Sequence, residues 1–328
     1  MDKRGKVVGT LKKNKHECLL LLILTMLLVG SDIRADAQNV VAQAGDNSTS
    51  PQIQSRRILV LTTIPPLECF ARNVAGDLDG KRIFIEQFLS AGQDPHHGFD
   101  LSPADRLRLG RADLLIINGL QLETWLQELM DESLKTKIVN TSRDMPLKSY
   151  GQDPDNAPNP HVWLSPLLAQ GQVEAIAQAL IKADPDFASQ YRHNADAYEE
   201  KLRQLDEEMR KQFESIAPGN RKFISYHESF YYFGRDYGLK QVGSFEPRPG
   251  VEPSLSSVAQ LIETIKREKI ATVFVEPQIA PKLLNEIAKD YNLRLVPLDP
   301  METGKADRDY YEKVLRKDAD AFRANLTP

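Results

Sequence analysis

Only two cysteines occur in the 328 residues, and Cys18 lies in a hydrophobic leader, so Cys69 has no partner for an internal disulfide. Stability must come from the core. A surplus of basic charge is also missing: 42 Lys and Arg stand against 46 Asp and Glu, a net charge of −4, which excludes nucleic acid as the default partner. Long hydrophobic spans are absent. The main apolar run, Leu19 to Val29, covers about 17 Å as a helix, well short of a hydrocarbon core roughly 30 Å thick. No GxSxG, GxxxxGK[ST], GxGxxG or HExxH pattern occurs, which removes the common nucleophile elbow, phosphate cradle, dinucleotide site and helix-borne zinc hydrolase. The chain is read as a non-enzyme.

What is present begins with a leader. Lys3, Arg4, Lys6, Lys12, Lys13 and Lys15 precede the apolar run, and Ala35-Asp36-Ala37 follows it, the order of a secretory signal peptide over residues 1–37. Cys18 stands before the run and cannot become the lipid-bearing first residue of a mature lipoprotein, so an unanchored periplasmic protein is expected. The leader carries seven basic and four acidic residues, which makes the remainder more acidic. Residues 38–56 are small and polar and read as a flexible tether.

Short β-branched runs then alternate with helical stretches. Strands are predicted from Ile58, at Arg82 to Leu89, at Asp113 to Leu120 and at Lys137 to Asn140, with helices at Leu67 to Val74 and Ser102 to Arg111. A second set of strands follows at Lys222 to His227, Lys240 to Phe245, Ala271 to Pro277 and Leu293 to Asp299. The fold class is therefore α/β, two lobes with parallel-type sheets. The first lobe spans residues 57–165, a helical region 166–220, and the second lobe 221–328.

Within the helical region, Asp184-Pro185 marks a new start, with Asp as cap and Pro in the first position. From Phe187 to Ile216 the apolar residues keep a 3.6-residue period. About thirty helical residues span roughly 45 Å, enough to bridge both lobes, and Gly219 is the expected stop.

Six histidines are present; His16 belongs to the leader and His193 to the charged face of the bridging helix. The other four lie in GQDPHHGF (His96 and His97), NPHVWLSP (His161) and SYHESFYYF (His227), each in or beside a loop that follows a predicted strand or precedes a helix, the kind of place where open α/β sheets bind ligands. A zinc ion takes about four nitrogen, sulfur or oxygen donors, so three imidazoles and one carboxylate would complete it. Asp299, closing the last predicted strand, is the candidate carboxylate. Glu228 is adjacent to His227, and neighbouring side chains point apart, which argues against a base on a metal-bound water.

These segments resemble the ZnuA/TroA-like metal-binding proteins of ABC importers, with similarity from about Ile58 to Leu326. The likeness runs in order through TTIPPLECFARNVAGD, GQDPHH, RADLLIINGLQLETWL, PHVWLSP, FISYHESFYYFGRDYGL, VFVEPQIAPKLLNEIA and LDP. It implies a C-clamp of two lobes joined by a long helix, one divalent ion between them, and His96, His161, His227 and Asp299 as ligands. The family spacing to the Asp of its S/T-P-x-D turn fits His97 to Asp105, whereas the Asp94-Pro95 context favours His96, so His97 stands as the alternative. Asn159 and Ser165 occupy positions often held by Asp, and the His-rich loop of many zinc members is missing between Ser149 and Asn159.

Manganese or iron relatives carry a carboxylate at the position of His227. Three imidazoles with one carboxylate favour Zn²⁺, with Mn²⁺ as alternative. The resemblance implies an exported monomer that captures the ion and delivers it to a membrane permease driven by an ATPase. An adhesin or metal-buffering protein of the same fold is the alternative, and a zinc hydrolase a more distant one.

Overall fold

The computed structural model describes residues 56–89, 101–129, 135, 137–145, 147, 159–246, 252–277 and 282–326. The leader, most of the tether, and His96 with His97 lie outside the described residues. In chain order the strands are β1 Ile58–Thr62, β2 Ile83–Gln87, β3 Leu114–Ile117, β4 Ile138–Asn140, β5 Lys222–Ser225, β6 Lys240–Ser244, β7 Thr272–Val275 and β8 Arg294–Pro297. The α-helices are α1 Pro65–Ala75, α2 Pro103–Arg111, α3 Pro166–Ala183, α4 Ala188–Glu214, α5 Tyr231–Tyr237, α6 Leu255–Glu268, α7 Lys282–Asp290 and α8 Tyr310–Leu326.

Each lobe holds a four-stranded, wholly parallel sheet, in the orders β2-β1-β3-β4 and β6-β5-β7-β8. The continuous apolar runs explain this. Val60 and Leu61 of β1 face opposite sides and are both buried, as strands covered by helices on both faces require. Among the described residues, all eight strands fall within the runs read as strands from the sequence.

Local chemistry sets the helix starts. Pro65 and Pro66 open α1, where the missing N–H costs nothing. Ser102 and Asp105 form a reciprocal capping box on α2, Ser102 Oγ accepting the Asp105 N–H at 3.2 Å and Asp105 Oδ2 the Ser102 N–H at 3.0 Å. Gly76, at φ 55°, turns the chain after α1, and a Cβ there would sit 2.3 Å from Asn194 Nδ2 of α4.

Helix α4 is the bridge. Tyr191, Tyr198, Leu202, Leu205, Met209 and Phe213 are buried along it, and its 27 residues span about 40 Å. It packs on α1 of the first lobe, on α3 of the helical region and on α5 and α8 of the second lobe, and one apolar core runs through both sheets and this helix. Two local expectations differ. Asp184 does not cap; it is buried, pairs with Arg82 and accepts the Tyr191 hydroxyl at 2.8 Å, while a 3-10 turn at Pro185–Phe187 leads into α4. The helix also stops at Glu214, before Gly219, and Arg221 Nε takes the Ile216 carbonyl at 2.8 Å to close the end. Among the described residues no helix is long and apolar enough to cross a membrane.

Candidate metal site

His161 lies on the connection that enters α3. The buried 3-10 turn Val162–Leu164 follows it, and Ser165 caps α3 by accepting the Leu168 N–H at 3.2 Å. Trp163 anchors the turn across the lobes: its indole N–H donates to the Pro300 carbonyl at 2.8 Å, and the Tyr311 hydroxyl donates to the Trp163 carbonyl at 2.6 Å. From the second lobe, His227 follows β5, Glu276 follows β7, and Asp299 to Glu302 follow β8. These three strands are adjacent and parallel, so their carboxyl ends deliver the side chains to one edge.

At that edge His161, His227 and Glu302 form a buried triangle. Nε2 of His161 lies 3.1 Å from Nε2 of His227 and 2.7 Å from Glu302 Oε1, which is 3.6 Å from His227 Nε2. The opposite ring nitrogens are anchored. Asn159 Oδ1 accepts from His161 Nδ1 at 2.8 Å and from the His161 backbone N–H at 2.9 Å, while Asn159 Nδ2 donates to the Glu228 carbonyl at 2.8 Å. That amide orientation assigns the His161 proton to Nδ1. His227 Nδ1 likewise pairs with Glu276 Oε1. Both Nε2 atoms are thus turned toward Glu302, which is the orientation metal-binding imidazoles need.

Burial works against a charged His227, but its contacts with Glu276 and Glu302 outweigh that and push its pKa up to about 10. Burial lifts Glu228 to about 7. The Cys69 thiol is lifted by burial to about 12, which removes it as a thiolate donor.

The structure brings together His161 and His227 of the residues expected from the sequence. His96 and His97 lie outside the described residues. Asp299 is not in the triangle: its Oδ1 accepts the Met301 N–H at 2.8 Å, and its own N–H donates to the Asp318 carboxylate at 3.1 Å and 3.3 Å. Burial raises its pKa above the usual carboxylate range. Met301, buried with φ 60°, reverses the chain, and the carboxylate that reaches the imidazoles is Glu302. Sequence reasoning gave Glu302 and Glu276 no role. Their signal was position alone: one stands in the segment following the last strand, the other directly after the VFV run.

The chain is similar to proteins named for metal binding. The zinc-binding lipoprotein AdcA of Streptococcus pneumoniae is 30% identical over 286 residues, covering 81% of this chain, which spans about half (55%) of AdcA. The high-affinity zinc uptake system protein ZnuA of Bacillus subtilis is 27% identical over 307 residues, 88% of this chain and 94% of that protein. Among solved structures, the laminin binding protein Lmb of Streptococcus agalactiae, described as bifunctional with adhesin and metal transporting activity, superposes with a TM-score of 0.72. It is 26% identical over 82% of this chain and 100% of its own. The profile of the family ZnuA, zinc-uptake complex component A periplasmic, matches residues 60–325, and the chain belongs to that family.

Proposed function

We propose that this protein captures a divalent metal ion, Zn²⁺ ahead of Mn²⁺, and delivers it to the permease of an ABC importer. One observation carries the reading: two imidazole Nε2 atoms and a carboxylate oxygen, all buried, stand 2.7–3.6 Å apart. A tetrahedral zinc with bonds of about 2.0–2.1 Å has ligand–ligand edges of about 3.3 Å, so one ion fits the triangle with little movement. We assign His161, His227 and Glu302 as donors. A histidine of residues 91–100, His96 or else His97, completes the set, and Asp299 shapes the turn that carries Glu302.

The family is one of solute-binding proteins rather than enzymes, which supports transport over hydrolysis. Its periplasmic description, with the basic-apolar-small order of residues 1–37, supports export by a signal peptide. Action as a monomer is part of this reading and is tested by the molar mass of the purified protein in solution. The likeness to Lmb supports adhesion as a second reading, tested by binding of the purified protein to laminin.

Zinc titration of the purified protein against a competing chelator tests the main reading. One tight site per chain is expected, lost in His161→Ala and in His227→Ala with the fold retained. Unchanged affinity in either variant would overturn the assignment.

A further inference from the structure

The two imidazoles are held from behind by different chemistry. Asn159 is neutral, and its amide is fixed in orientation because Nδ2 is committed to the Glu228 carbonyl at 2.8 Å. Glu276, set directly after β7, brings a carboxylate to the same job on His227, and it is only 6% exposed. It lies outside the triangle of His161, His227 and Glu302 and so is not itself a donor.

A count of charge gives this difference meaning. A dication held by neutral imidazoles and the single carboxylate Glu302 leaves one positive charge in a buried site, and an unbalanced buried charge is costly. Glu276 stands one imidazole away with the opposite sign. A carboxylate on the far nitrogen also fixes the ring's tautomer and strengthens its other nitrogen as a donor.

We propose that Glu276 is a positioning residue: it holds His227 in the Nδ1–H tautomer and supplies the second negative charge that a buried dication requires. This rests on the metal-binding reading above. Gln at 276 keeps an acceptor for Nδ1–H but removes the charge, whereas Ala removes both, so the two variants separate the two contributions.

The experiment uses the whole protein and zinc alone as probe, with affinity measured by chelator competition over a pH series so that the proton competing at His227 is factored out. Removing such an outer partner weakens metal binding by about 10–100-fold. Glu276→Gln is expected near the lower end of that range and Glu276→Ala near the upper. Nitrogen-15 NMR of the zinc-loaded protein should show His227 protonated at Nδ1 in the wild type and in Glu276→Gln, with that proton exposed to fast exchange in Glu276→Ala. Wild-type affinity in Glu276→Gln, even with a lowered melting temperature, would reduce Glu276 to a structural role and overturn the proposal. If His161→Ala and His227→Ala lose zinc in the same assay, that failure belongs to Glu276 alone; if they too bind as wild type, the metal site itself is refuted.

Discussion

Zinc binding should release a proton from His227 even in mildly alkaline solution. An ordinary imidazole, with pKa near 6.5, is already neutral at pH 8 and would release none. Here Glu276 and Glu302 outweigh the effect of burial and hold the His227 pKa at about 10. Between that value and pH 7 lie about three decades, so deprotonating the ring at neutrality costs about 4 kcal/mol, roughly a thousandfold in apparent affinity. The logarithm of the apparent binding constant should therefore rise by about one per pH unit from pH 7.5 to 9. The same proton acts on the metal-free fold in the sense of a raised pKa. Its stabilisation is complete below about pH 6.5 and is lost as pH climbs through 10. Calorimetry at pH 8 in buffers of different ionisation enthalpy reads the proton count directly. About one proton per zinc is expected. A flat constant from pH 7.5 to 9 with no buffer dependence would refute the reasoning.

Further outcomes follow from particular contacts. If Asp94-Pro95 sets the register of the first histidine, His96→Ala should weaken zinc binding much more than His97→Ala, in the same chelator competition. Metal removal should barely change the radius of gyration in solution scattering, because α4 bridges both lobes through a continuous core and Trp163 ties the loop of His161 to Pro300; a large opening would contradict this. Phe322 is fully buried among the rings of Phe213, Phe223, Phe230, Phe233 and Phe274. Phe322→Ala should cost about 3–5 kcal/mol and lower the melting temperature by on the order of 10 °C.

Much of this molecule is legible in its sequence because its physics is local. The central strands β1, β3, β5 and β7 are short, largely apolar runs with buried residues on both faces, and the bridging helix carries its 3.6-residue stripe openly. His161 and His227 could be singled out as scarce residues beside strand ends. The carboxylate was harder to read. Asp299 stands where the strand register points, but its side chain is taken up by the Met301 N–H, and a left-handed Met301 throws Glu302 inward instead. Nothing in the residue type of a methionine announces a positive φ, which usually belongs to glycine or asparagine. Asp184 and Glu276 show the same limit. Asp184 reads as a helix cap until Arg82, about a hundred residues away in sequence, is seen beside it, and the partner of Glu276 is a histidine just past the end of a neighbouring strand.

X-ray absorption at the zinc edge, on the zinc-loaded protein and on His161→Ala, tests the central claim most directly. The account predicts a four-coordinate shell of nitrogen and oxygen near 2.0–2.1 Å with scattering from imidazole rings, reduced in the variant. A sulfur neighbour near 2.3 Å, or a shell of oxygen alone without imidazole scattering, would place the ion elsewhere and contradict it.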